Sequence, residues 1–137
     1  MSTSDSDAWH RELSHTRHDE IVRETSQTPG MTRFEAISGA RSSSSRIWMG
    51  ENHVEPGVRS GDHHHGASET GIYVVTGNPV FVFRTDGQEH RIETQPGDYV
   101  YVPPFVPHRE ENPGPAAAVV VLARSTQEAI VVNLDHL

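Results

Sequence analysis

Three histidines and a glutamate crowd into one short stretch of the chain, His63, His64, His65 and Glu69, between the turn-forming glycines Gly57 and Gly77. On an extended strand alternate side chains share a face, so His63 and His65 project together and His64 projects to the opposite side. Two imidazoles on one face can grip a single ion. After the Gly66-Ala67-Ser68 turn, the run Ile72-Tyr73-Val74-Val75 has the β-branched and aromatic content of a returning strand, which brings Glu69 back beside the histidines. A fourth candidate, His108, ends a turn, a short strand and a proline-stiffened loop that together span residues 97–108. Three neutral imidazole nitrogens and one carboxylate oxygen suit one divalent transition metal ion, with room left for water or substrate. The expected metal ligands are therefore His63, His65, Glu69 and His108. Fe, Mn, Ni, Zn and Co all fit this donor set, and the residue types do not choose among them.

What must position these residues is a series of short strands. Ile21-Val22-Arg23 opens an edge strand, Thr28-Pro29-Gly30 reads as a turn, and residues 34–37 and 46–53 resume strand patterning on either side of a serine-rich loop at 38–45. Residues 79–84 and 88–94 flank Thr85-Asp86-Gly87, and Asp-Gly between apolar alternations is a hairpin signal because the tight turn needs positive φ. Further strands are expected at 99–102, 117–122 and 130–134, with a helical turn at 125–128. About nine short strands punctuated by Gly and Pro, with no long helix, imply an all-β fold, a single-domain jelly-roll β-barrel of two antiparallel sheets. Either Tyr99 and Tyr101 or Val100 and Val102 line the barrel, according to parity, and Trp48, Phe81 and Phe83 belong to the core. His64 is expected at the surface or at a subunit interface, and His53, His90 and His136 at the surface.

The two histidine stretches resemble the motifs of the cupin superfamily. Its first motif, Gly, five residues, His-x-His, three or four residues, Glu, six residues, Gly, is met by Gly57, His63, His65, Glu69 and Gly77. Seven residues rather than six separate Glu69 from Gly77, and aligning backwards from Gly77 puts Thr70 where the family glutamate stands. Either a bulge after Ser68 turns Glu69 inward, the arrangement expected here because Gly66 permits unusual backbone angles, or Glu69 faces solvent and Thr70 the barrel. The second motif, Gly, five residues, Pro-x-Gly, two residues, His, three residues, Asn, is met by Gly97, Pro103, His108 and Asn112, with Phe105 in place of its glycine. The resemblance covers roughly residues 45–125 and extends to uncharacterised single-domain bacterial cupins often called rhamnose-epimerase-like. It implies the jelly-roll fold and a metal site at the barrel mouth.

At 137 residues the chain fits one domain and cannot hold two cupin units. Its 34% hydrophobic content is low, which assigns residues 1–19, rich in Ser, Asp and His, to a disordered polar tail and 20–137 to the cupin domain. Trp9 and Leu13, at i, i+4, would permit a short amphipathic helix in that tail. A formal charge of -8 argues against nucleic acid or an anionic membrane as partner. The absence of cysteine excludes disulfides, thiolate ligands and a cysteine nucleophile. With no secretion signal and no apolar run long enough to span a bilayer, a cytoplasmic protein is expected, dimerising through an open sheet edge.

Three imidazoles and one carboxylate on a dication leave a net positive site that favours an anionic chelate such as an enolate or hydroxy acid. The expected function is a metal-dependent enzyme, dioxygenase or isomerase in type, acting on a small oxygen-rich or anionic substrate in the barrel. The alternative from another class is a non-catalytic module that binds or senses a small molecule. Metal-free sugar-nucleotide epimerase chemistry, with a His base and a Tyr acid, does not call for three clustered histidines. No P-loop, dinucleotide fingerprint or nucleophile elbow is present.

Overall fold

Strand formation follows the alternation of the sequence closely in the middle of the chain and loosely at its ends. The computed structural model describes residues 12–24 and 28–137. Trp9, half of the expected tail helix, lies outside the described residues, and Leu13 is exposed in irregular chain. Thr16 and His18, placed in the tail by composition, donate to the Ala36 carbonyl (3.0 Å) and contact the Glu51 carboxylate (2.9 Å) respectively.

Among the described residues eleven strands follow a short 3-10 turn at His18–Glu20: β1 (Val22–Glu24), β2 (Met31–Ile37), β3 (Trp48–Val54), β4 (His63–His64), β5 (Thr70–Thr76), β6 (Val80–Thr85), β7 (Gln88–Glu93), β8 (Tyr99–Val102), β9 (His108–Glu111), β10 (Ala118–Arg124) and β11 (Val132–Asn133). They form a six-stranded sheet in the order β1-β2-β3-β10-β5-β8 and a five-stranded sheet in the order β11-β4-β9-β6-β7. Every pairing is antiparallel, so the expected all-β, two-sheet architecture is the observed one. The serine-rich loop carries one helical turn, α1 (Gly39–Ser42), capped by the Ser38 hydroxyl, which accepts from the Arg41 amide. Residues 125–128 make bends rather than the expected helical turn. Among the described residues no helix is long and apolar enough to cross a membrane.

β3 shows why the sheet forms where it does. Trp48, Gly50, Asn52 and Val54 are buried and the residues between them are not, the period of two that puts one face of a strand on the core. Met31, Val54 and Ala118, aligned across β2, β3 and β10, form a buried apolar cluster with Val58 packed against them. Burying side chains such as Val54, Val74 and Val120 contributes about 1.5–3 kcal/mol each. The β6–β7 hairpin turns through Asp86 and Gly87 at φ 52° and 75°, as the Asp-Gly pair requires. Asn112, from the second motif, is buried and ties the β9–β10 connection together: its amide donates to the carbonyls of Val54 (2.9 Å) and Ala116 (3.0 Å), and its oxygen accepts from the Gly114 amide (3.0 Å).

Candidate metal centre

The five-stranded sheet brings the histidines together. His63 pairs directly with His108 across β4 and β9, and His65 follows just beyond β4. One ligand nitrogen from each of the three lies within 4.8 Å of the other two. The ring centroids are 4.5 Å apart for His63 and His108, 4.7 Å for His63 and His65, and 4.9 Å for His65 and His108.

Each ring is held from behind. Nδ1 faces a backbone carbonyl in all three: Gly61 at 2.7 Å for His63, Ile130 at 2.8 Å for His65 and Val106 at 2.9 Å for His108. A carbonyl only accepts, so Nδ1 carries the proton and Nε2 keeps its lone pair, the arrangement in which metal-binding histidines are oriented. Burial pulls all three rings below the ordinary histidine value, against those carbonyls, and takes His108 to about 4. At neutral pH the group is therefore three neutral, oriented donors. That donor set fits a divalent transition ion, which would be held by His63, His65 and His108.

Glu69 was the fourth expected ligand, and the structure does not bring it to this group. It is exposed, and its carboxylate lies within hydrogen-bonding reach of Tyr101 on the outer face of the sheet. Thr70 instead is buried and lines the cavity, pairing with Arg124 and Val102 on the inner face. The physical reason is register. The Glu69 amide donates to the Ser125 hydroxyl (2.9 Å) and its carbonyl accepts from the Ser125 amide (3.0 Å), which fixes the start of β5. A bulge does occur on β5, but it lies at the other end: Val119 and Val120 face Thr76 and Val74, so Val75 is the extra residue and the orientation of Glu69 is untouched.

The other motif departure keeps its backbone. Phe105, standing where the family has glycine, has φ 63°, and its amide donates to the Gly66 carbonyl (2.8 Å), tying the proline-rich loop to the histidine hairpin. Its ring lies 5.9 Å from that of His64, which faces away from the cluster and accepts from the Gly66 amide through Nδ1 (3.0 Å). Of the alternative linings, Val102 is buried against the cavity, while Tyr99 and Tyr101 are 80% and 59% exposed.

The histidines form one wall of a cavity of about 310 Å³. The facing six-stranded sheet contributes Arg33, Asn52, Thr70 and Arg124, and β9 adds Glu110 beside His108. Motif reading missed these residues. Strand parity could have found Glu110, two positions after His108 and so on the same face, and could have flagged Asn52 as a polar residue in the inward series of β3. The Glu110 carboxyl is enclosed even though the residue as a whole is only half-buried; burial raises it to about 7, against Arg33 and the Asn52 amide. Arg124 lies 4.0 Å from the centroid of Trp48 and donates to the carbonyls of Thr126 (3.0 Å) and Gln127 (2.7 Å). Burial and the neighbouring Arg33 lower it to about 10, which leaves it charged at neutral pH.

Known proteins are consistent with this architecture. The Mn(II) enzyme oxalate decarboxylase from Bacillus subtilis, OxdC, matches with a TM-score of 0.69 at 28% identity, over 81% of this chain and 30% of that one. The present chain thus spans under a third of the decarboxylase. The polyketide cyclase RemF from Streptomyces resistomycificus has a TM-score of 0.73 at 20% identity, covering 90% of this chain and 86% of that one. CapF, solved with 3-isopropenyl-tropolone, has a TM-score of 0.68 at 19% identity, covering 85% and 35%. At those identities RemF and CapF are alike in fold alone. No curated protein sequence matches the chain. The family model described as the cupin domain matches residues 50–123, more than half of the chain, and with the two-sheet barrel and its histidine cluster this makes the protein a member of the cupin family.

Proposed function

We propose that the protein is a metal-dependent enzyme, dioxygenase or isomerase in type, that acts on a small oxygen-rich anion inside the barrel. The observation that carries this reading is the set of three neutral histidines, each with Nδ1 fixed on a carbonyl, converging on one wall of a cavity whose opposite wall is cationic. When bound, a divalent transition ion supplies Lewis acidity and, if it is redox-active, electrons for chemistry with O₂. The chain's own residues do the rest. His63, His65 and His108 hold their lone pairs on the centre without rearrangement, because the carbonyl contacts fix each ring. Arg33 and Arg124 attract and orient an anion entering the cavity. Phe81, Val102 and Val120 give the lining an apolar part that limits water beside the reacting atoms. A manganese enzyme among the structural relatives supports the choice of a transition ion and not its identity.

Metal analysis of protein purified without a histidine tag, followed by O₂ uptake and substrate loss against small oxo- and hydroxy-acids, tests the proposal. One transition ion per chain with turnover of an acid is expected. Binding without turnover would overturn the enzymatic reading in favour of a binding module, and metal-free protein that regains no ion on reconstitution would overturn both.

A further inference from the structure

Five buried side-chain polar atoms lack a hydrogen-bond partner among the described residues, and three of them line the same cavity: Arg33 Nε, Asn52 Oδ1 and Glu110 Oε1. Asn52 is 5% exposed, so solvent does not reach it freely. Its amide nitrogen is already committed to Glu110 Oε2 at 3.4 Å, which leaves its oxygen as an acceptor with nothing to accept from. Arg33 and Asn52 are register partners across β2 and β3, and Glu110 reaches them from β9 of the other sheet. A buried polar atom left unpaired costs about 1–3 kcal/mol, so three in one place describe a mould for a missing polar group.

The chemistry of the mould is specific. The Arg33 Nε–H only donates and Asn52 Oδ1 only accepts, while Glu110 Oε1 accepts when the carboxyl is ionised. A carboxylate only accepts, so it would satisfy Arg33 and leave Asn52 Oδ1 unpaired. An ammonium only donates, and Arg33 and Arg124 repel it. A hydroxyl can do both, accepting from Arg33 Nε and donating its single proton to Asn52 Oδ1, and the cavity is at the small end of ligand pockets.

We propose that Arg33, Asn52 and Glu110 form a hydroxyl-recognition subsite, and that the ligand of the cavity is a short hydroxycarboxylic acid whose carboxylate lies toward the histidine cluster and whose hydroxyl fills this subsite. The placement of the carboxylate rests on the metal-dependent reading above; the hydroxyl preference rests on the unpaired Arg33 Nε and Asn52 Oδ1 and is independent of metal.

Paired titration calorimetry on the full chain tests it, with glycolate against acetate, malate against succinate, and gluconate against hexanoate, each pair differing in hydroxyls on one carbon skeleton. In at least one pair the hydroxylated acid is expected to bind about tenfold tighter or more. That ratio should fall to about one in Arg33→Met and in Asn52→Leu, with the metal content of both variants unchanged. Should Asn52→Leu fail to fold, Arg33→Met, at a position only half-buried, carries the comparison alone. Equal binding within every pair, or a ratio that survives the substitutions, would mean that water alone fills the subsite and would overturn the proposal. The same titrations on metal-stripped protein separate the two readings. A hydroxyl preference in a protein that binds no metal sinks the metal-dependent function and keeps the subsite, whereas full metal occupancy with no preference does the reverse.

Discussion

Strand β9 carries two opposite electrostatic environments on its two faces. His108 and Glu110 point into the barrel, where burial drives each toward its neutral form, His108 down to about 4 and Glu110 up to about 7. Arg109 and Glu111, the alternate residues, point outward and are driven the other way. The Glu111 contact at 2.6 Å raises Arg109, and the same contact, with Arg91 at 3.1 Å, lowers Glu111. Arg109 also reaches Asp62 (3.3 Å) and Glu89 (2.9 Å), joining the start of β4 and β7 to β9. Four consecutive residues thus divide by parity into a face that suppresses charge so that it can bind something, and a face that fixes charge so that the strands stay in register.

The largest effect should come from breaking the inward face. His108→Ala removes one of three oriented donors and is expected to weaken metal affinity by about a hundredfold or more, since even loss of groups that only orient a ligand costs about 10–100-fold. The fold should persist, because the ring makes its hydrogen bond only to its own loop, at Val106. Elemental analysis beside circular dichroism checks both parts. Full occupancy in this variant would leave the inward face without the role given to it.

Breaking the outward face should change stability and leave metal affinity within about twofold. The Glu111 carboxyl sits below its ordinary value of 4.5 in the folded protein, the Arg109 hydrogen bond being the largest cause. A depressed folded value gives stability that is present above the unfolded value and is lost as pH falls through the folded one. Glu111→Gln should therefore cost about 1–3 kcal/mol at neutral pH and progressively less in acid well below 4.5, where the native carboxylate is itself protonated. Denaturant titrations at the two pH values measure the difference. A cost that does not shrink in acid would show that shape rather than charge holds this face.

Much of this parity was readable in advance, and what was not has physical causes. His63, His65 and His108 were legible because their spacings match the two cupin motifs, and the structure brings one nitrogen of each within 4.8 Å of the others. The β6–β7 hairpin was legible from Asp86-Gly87, whose positive φ leaves few alternatives. Arg33 and Arg124 were not, because an arginine on a strand usually faces solvent, and only the register through β2, β3 and β10 turns both inward. Nor was the short length of β4, since nothing in His63-His64-His65 reveals that pairing ends after His64. The bulge was expected after Ser68, on the strength of Gly66, and occurs at Val75, where the pairing with β10 decides it and no local residue signals it.

The smallest expected effect sharpens the same comparison on another strand. On β5, Thr70 takes the inward place and the preceding Glu69 the outward one, as His108 and Arg109 do on β9. The Glu69 carboxylate faces solvent beside Tyr101, away from the histidine cluster, and its own backbone is bonded twice to Ser125. Without a bulge after Ser68, turning it inward would shift β5 by one residue, carry Thr70, Ile72 and Val74 out of the barrel and expose Val74, now fully buried. That loss of apolar burial, about 1.5–3 kcal/mol for the valine alone, opposes the slip. Glu69→Gln should accordingly leave metal affinity unchanged within about twofold and stability within about 0.5 kcal/mol, as for a surface substitution. Metal titration of this variant reads the outcome directly. A tenfold loss would place the carboxylate on the ion and require either a bulge after Ser68 or a β5 paired one residue out of the register seen here.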